Sequence, residues 1–293
     1  MVEFARSDLA VECGADTQGE GLHVQRTQVG ECEILRVQIK SDEVAKRTGK
    51  PIGRYVTVEC GSIATLSVEE AERVRCAVAV EIRDLAERMC ARRIGGDFFL
   101  LVVGLGNAAM TPDAIGPETV RQLCVTRHLD AAARMALQTR VLCEIAALAP
   151  GVTGQTGMEV QELIRGAVEV LHPDLVVVVD ALAARSPARL AATVQLSDTG
   201  IRPGGGIGQP RRAITAQSVG APVMAIGVPT VVDSATLVAD ALADAGLSVF
   251  GEEIEKRLQT GRNFLVSPRE IDLVVPAVGL LLAGALEKAF SVT

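Results

Sequence analysis

Residues Phe98 to Val103 are apolar throughout and are closed off by Gly95-Gly96 on one side and Gly104 on the other. A strand solvated on one face alternates polar and apolar residues. An unbroken run needs cover on both faces, as an inner strand of a parallel sheet has. Leu175 to Val179 repeats the pattern, Val223 to Ile226 repeats it again, and Thr193 to Ser197 is a weaker fourth. Helical periodicity separates them, at Met158 to Leu171 and Ser234 to Ala245. Strands and helices in alternation predict an α/β fold, a doubly wound and mostly parallel sheet flanked by helices. The whole chain, 1–293, is expected to form a single domain.

The remaining elements are read from caps and spacing. Ser67 with Glu70 three residues later forms a capping box, and Ala71, Val74, Val78, Ile82, Leu85 and Met89 recur at helical spacing, predicting a helix from Val68 to Arg92. Tyr55 to Cys60 reads as a strand, and short strands are expected at Ala10 to Cys13 and Ile34 to Ile39. Lys46 to Lys50 reads as a solvated loop. Ile271, Val274, Val278, Leu281, Leu282 and Leu286 share one face of a closing helix over Pro268 to Phe290, with Pro268 in its first turn.

Composition removes several function classes. With 48% hydrophobic and 22% charged residues the chain has ample apolar surface for a core. Its longest apolar run, Leu273 to Leu286, is too short for a membrane span and contains Pro276, Gly279 and Gly284. The N-terminus has no secretory signal pattern, so the cytoplasm is the expected compartment. The net charge of −7 and 2% aromatic content disfavour direct nucleic-acid binding. Seven widely spaced cysteines without a Cys-x-x-Cys pair predict reduced, mostly buried thiols.

In an open parallel sheet, ligands bind beyond the carboxyl ends of the strands. The segment after Val103 delivers Asp113, and the segment after Val179 opens with Asp180. If the two strands are neighbours, these carboxylates meet in one cleft and share a proton, a state that activates water for amide hydrolysis. Each aspartate alone is also a good turn or helix cap. Gly104-Leu105-Gly106-Asn107-Ala108-Ala109 satisfies G-x-G-x-x-A, so an NAD(P)-binding oxidoreductase is an alternative, although Pro112 interrupts the helix that such a motif should open. A non-catalytic scaffold on the same fold is a third reading. His172 stands at the far end of the strand leading to Asp180, and His23 and His128 have no companions at ligand spacing. The Gly-rich segments Pro150 to Gly157 and Ser197 to Gly206 expose backbone groups with which an extended peptide can pair. Asn107, Thr156, Arg185 and Asp198 are the candidate substrate-binding residues, with Arg211 and Arg212 as further cations for acidic peptide residues.

These residues together resemble the germination proteases of spore-forming bacteria. The resemblance runs through Arg6-Ser7-Asp8-Leu9-Ala10-Val11-Glu12, Val103 to Asn107, Thr111-Pro112-Asp113-Ala114-Ile115-Gly116-Pro117, Pro150 to Gly157, Asp180 to Ser186, Ser197 to Ile201 and Ile226 to Asp233. It implies an aspartic-type endopeptidase, related in fold to hydrogenase maturation endopeptidases, that is made as a zymogen, assembles as a homotetramer and degrades small acid-soluble spore proteins in the spore core. Carried over by position, its catalytic aspartates fall on Asp113 and Asp180. No cofactor is implied. A divalent metal at the pair, as in a metal-dependent maturation endopeptidase, stays open because those relatives add a histidine that is not evident in this sequence. The family cuts after Glu and before an apolar residue and Ala, so Glu3-Phe4-Ala5 marks a self-processing site between Glu3 and Phe4, with at most a very short prosegment at 1–3. Between the Val231-Val232-Asp233 segment and the final helix the family commonly carries a longer stretch than the region near Phe250 to Gly261 here.

Overall fold

The computed structural model describes residues 7–14, 19–130, 132–133, 141–205, 211–246 and 264–292. Glu3, Phe4 and the region near Phe250 to Gly261 lie outside the described residues. One mixed sheet dominates. Its strands in chain order are β1 (Leu22–Val29), β2 (Cys32–Ile39), β3 (Gly53–Glu59), β4 (Phe99–Gly104), β6 (Glu144–Leu148), β7 (Leu175–Ala184), β8 (Thr193–Ser197) and β9 (Val223–Asp233). They lie side by side in the order β1-β2-β3-β8-β9-β7-β4-β6. The parallel character expected from the apolar runs is confined to one half, where β6, β4, β7 and β9 pair in parallel. The half made of β1, β2, β3 and β8 is antiparallel, and β8 joins β9 antiparallel. Two short strands, β5 (Val141–Leu142) and β11 (Ser291–Val292), pair apart from this sheet, and β10 (Leu265–Val266) adds to the end of β9.

Helices cover both faces of the parallel half, which is why the runs 99–103, 175–179 and 223–226 are apolar throughout. Along β4, Leu100 and Val102 pack into one core with α2 (Val68–Cys90), α3 (Ile115–Gln122) and α8 (Ile271–Ala289). Leu101 and Val103 point the other way, into a second core with α5 (Val160–Leu171) and α6 (Ala216–Val219). Each of these four side chains is essentially unexposed, and complete burial of an aliphatic side chain contributes about 1.5–3 kcal/mol. The remaining helices are α1 (Asp42–Thr48), the one-turn α4 (Thr153–Thr156) and α7 (Ser234–Asp244). The Ser67–Glu70 capping box forms in both directions, and the predicted faces of α2 and α8 are the buried ones. No helix among the described residues is long and apolar enough to cross a membrane. All seven cysteines are free; burial pushes Cys60 up to about 12 and Cys90 up to about 11, which keeps both thiols protonated.

Four local expectations are corrected. Ala10–Cys13 is a 3-10 turn, because the Ala10 N–H donates to Gln195 Oε1 and the Glu12 N–H to the Leu9 carbonyl, satisfying groups that a strand would leave for a ladder. Lys46 to Thr48 belong to α1, whose Ser41 cap accepts from the Val44 N–H. Pro268 precedes α8, accepting from the Ile271 N–H in a turn, and Pro276 is the proline inside the helix. Finally, β7 and β9 run five and seven residues beyond their predicted ends. The extension of β7 is rich in alanine, a poor strand former, and it holds because its neighbour runs alongside as far as Val232.

Candidate active site

Two segments of adjacent parallel strands build the site, the turn beyond the end of β4 and the middle of β7. Beyond β4, Gly106 adopts φ +113, and the chain then folds back in two successive turns. The Met110 N–H donates to the Asn107 carbonyl and the Asp113 N–H to the Met110 carbonyl, each at 2.8–2.9 Å. The Asn107 N–H in turn donates to Asp113 Oδ2 at 2.8 Å, which points the carboxylate back at the strand end. Thr230 of β9 anchors the turn by donating to the Pro112 carbonyl at 2.7 Å. Asp180 comes from the middle of β7, opposite Gly227 of β9, and Ala181 N–H donates to its Oδ1 at 3.0 Å.

Asp113 and Asp180 line one cleft of about 360 Å³. Burial raises the Asp113 carboxyl above the usual carboxylate range, opposed by the Asn107 N–H. Asp180 is only 6% exposed, and burial holds it well above that range. The charge of Asp113 adds to the effect, followed by that of Asp8. Each carboxyl accepts one backbone N–H, so it is the deeper burial of Asp180 and the neighbouring charge of Asp113 that set it further above the ordinary range.

Asp8 is a carboxylate of the cleft that sequence reasoning did not single out. It lines the same cleft, and its carboxylate accepts from the Ala183 N–H at 2.9 Å while its own N–H donates to the Ala183 carbonyl at 2.8 Å. An acidic residue in a polar N-terminal stretch gives no local signal that it will lie against β7, so only the fold reveals it. An adjoining, more polar cavity of about 450 Å³ shares Asp8, Asp180, Leu182 and Gly204 with the cleft and brings in Lys50, Tyr55 and Arg202.

The other candidates divide. Asn107 lines the cleft, as do Gly151, Val152 and Thr153 of the first Gly-rich segment and both Arg211 and Arg212. Arg212 also pairs with Glu162 at 3.0 Å. Thr156 does not line it: its hydroxyl turns back on the Val152 and Met158 carbonyls. Arg185 is drawn away by a two-pronged pair with Asp240 on α7, at 2.9 and 2.5 Å. Asp198 lies outside as well, accepting from the Arg54 N–H at 2.7 Å and pairing with the Arg54 guanidinium at 3.6 Å.

The nucleotide alternative lacks the helix its motif should open: a 3-10 turn over Thr111–Asp113 follows it, and α3 starts only at Ile115. A Cβ at Gly104 would lie 2.2 Å from the Gly116 carbonyl oxygen, and one at Gly106 would lie 1.9 Å from that of Asp113. These glycines make room for the chain's own backbone at the turn that carries Asp113. Among the described residues, no three His, Cys, Asp or Glu side chains form a group that could hold a metal ion. His172 caps α5 with φ 52, while His23 and His128 are exposed, and none of them lines either cavity.

Comparison with known proteins shows the family. The family model described as germination protease matches residues 6–262. A germination protease of Caldanaerobacter subterraneus is 35% identical, with 97% of this chain and 93% of that protein covered. One from Clostridium perfringens is 38% identical over 97% and 94%, and one from Priestia megaterium is 37% identical over 89% and 72%. Among solved structures, the [NiFe] hydrogenase maturation protease HycI of Thermococcus kodakarensis is a remote likeness, with TM-score 0.37 and 16% identity over 70% of this chain and 98% of that one. A family match that spans the first strands, both aspartate-bearing segments and the helices around them leaves a single assignment: the chain belongs to the germination protease family.

Proposed function

We propose that this chain is an aspartic-type endopeptidase acting in spore germination, with Asp113 and Asp180 as a dyad that holds one proton. The observation that supports it most is a buried Asp180 facing the same cleft as a second, more easily ionised carboxylate. Asp113 takes a proton from water as the oxygen adds to the scissile carbonyl carbon, and Asp180 gives its proton to the departing amine as the C–N bond breaks. The proton gained by Asp113 then returns to Asp180, and the pair is restored.

The substrates are small acid-soluble spore proteins, cut after Glu and before an apolar residue, and the enzyme works as a homotetramer in the spore core. Arg211 and Arg212 line the cleft where an acidic side chain of such a substrate would lie. A Glu-Phe-Ala-Ser-Glu peptide is expected to be cut once, after its first Glu, at a rate unchanged by a chelator. Loss of activity in chelator that added divalent metal restores would replace the proton dyad with a metal-assisted reaction, and absence of any cut would overturn the reading. Self-processing between Glu3 and Phe4 is expected as well. N-terminal sequencing of protein held under mildly acidic conditions should move from Met1 to Phe4, and an unchanged Met1 would exclude it.

A further inference from the structure

We propose that Asp8 is a positioning residue of this reaction, fixing the stretch of β7 that follows Asp180 and setting a further carboxylate on the wall of the cleft that Asp180 lines. The inference rests on the dyad reading above and adds to it a residue from the opposite end of the chain.

The attachment is specific. Asp8 meets Ala183 through both its main chain and its side chain, with the Asp8 N–H on the Ala183 carbonyl and the Ala183 N–H on Asp8 Oδ2. Ala183 sits where the pairing of β7 with β9 shifts register, between Leu182 and Ala183. A bulge releases ladder groups at that point, and a side-chain carboxylate that accepts a released N–H holds the strand in one course. The Asp8 carbonyl is held in turn by Lys50 Nζ at 2.8 Å and by Gln195 Nε2 at 3.1 Å, so the residue is clamped from β7, from β8 and from the segment before β3. It lines both cavities that meet at Asp180.

The charge has a consequence for chemistry. Asp113 faces Asp180 from the turn before α3; Lys50 and Tyr55 face the Asp8 side from around β3; Glu12 and Cys13 lie on Asp8's own segment; and Glu159, Arg202, Arg211 and Arg212 line the walls. Within that setting the Asp8 charge acts on Asp180 in the same direction as burial, keeping it protonated. Asp180 must be protonated to serve as the acid, so Asp8 extends the pH range over which the dyad works. Because Asp8 acts through Asp180 and Ala183, its removal should displace the pH profile before it removes activity.

Asp8→Asn tests this, since Asn still offers an oxygen to the Ala183 N–H but carries no charge. The alkaline limb of kcat/KM for the Glu-Phe-Ala-Ser-Glu peptide should move to lower pH. At the pH where the unaltered enzyme runs at half its maximum, the variant should be slower by about fivefold. At its own optimum it should keep kcat within about threefold. Asp8→Ser, smaller but still an acceptor, is the companion variant, and circular dichroism with thermal melting shows which of them folds. An unmoved limb in a folded variant, or a fall in kcat equal at every pH, would overturn the role. Asp113→Asn and Asp180→Asn run alongside separate the two readings: if they remain active the dyad itself fails, whereas if they are dead and Asp8→Asn leaves the limb in place, only the role of Asp8 fails.

Discussion

Replacing either aspartate of the dyad, Asp113→Asn or Asp180→Asn, is expected to lower kcat/KM for peptide cleavage by about 10³-fold or more, while circular dichroism and oligomer size stay unchanged. The magnitude is that of a positioned acid or base removed from the transition state, about 4 kcal/mol of barrier. The fold survives because amide and carboxyl are nearly the same size. Asn at 113 or 180 still offers an oxygen to the N–H that now binds it, from Asn107 or Ala181. Residual activity within tenfold of the unaltered enzyme in both variants would remove the dyad from the mechanism.

The same substitution makes a prediction about stability, and its sign follows from linkage. Asp180 is raised in the folded state, by burial first and then by the charges of Asp113 and Asp8. A group raised on folding contributes stability that is fully present below its unfolded value, about 3.9 for Asp, and is lost as pH rises through the folded value. Asn cannot ionise, so Asp180→Asn loses nothing over that range. Its melting temperature should therefore exceed that of the unaltered protein at pH 8, with the gap closing toward pH 4. Thermal melts across that window check it, and a gap that widens as pH falls would show that Asp180 is not the protonated member. A catalytic group that destabilises the fold is the usual exchange of stability for activity.

The second large effect belongs to a residue with no side chain. Gly116→Ala should destabilise the protein by about 3 kcal/mol or more, lowering the melting temperature by roughly 6–12 °C, and should reduce cleavage at least tenfold. At Gly116 a Cβ would lie 2.2 Å from the carbonyl oxygen of Leu105 and 2.4 Å from its nitrogen, so backbone presses directly on backbone where β4 ends and α3 begins. Neither side can yield by turning a rotamer. The helix must withdraw from the strand, and the turn that carries Asp113, joined to α3 through Ala114, moves with it. Gly166→Ala is the control. It lies within α5 with nothing within 4 Å of its added Cβ, and it should gain about 0.5–1 kcal/mol from helix propensity alone. Equal melting temperatures for the two variants would refute the close-approach account.

Much of this was legible in the residues. The unbroken apolar runs of β4, β7 and β9 announced strands covered on both faces, and the Ser67–Glu70 box placed the start of α2 to the residue. Both aspartates were singled out because segments after strands are where such sheets bind ligands, and the structure sets both on one cleft although β7 runs on past Asp180. The antiparallel half was harder to see: β1 is polar and mostly exposed, and pairs with β2 along its whole length without an apolar run to mark it. Arg185, Asp198 and Thr156 had the right chemistry for the cleft but find nearer partners in Asp240, Arg54 and the Val152 and Met158 carbonyls. Such pairings depend on which segments the fold makes neighbours, and a linear pattern carries no record of that.

Periodicity, caps and the placing of glycines thus determined the class of fold and the two carboxylates, because each is a local relation between residues a few positions apart. Tertiary structure alone decided that Asp8 joins them, 172 positions from Asp180 in the chain, and that Asp180 is the member sealed from water. Burial and charge act through space, and the state of a proton is fixed by whatever the folded chain brings within reach of it.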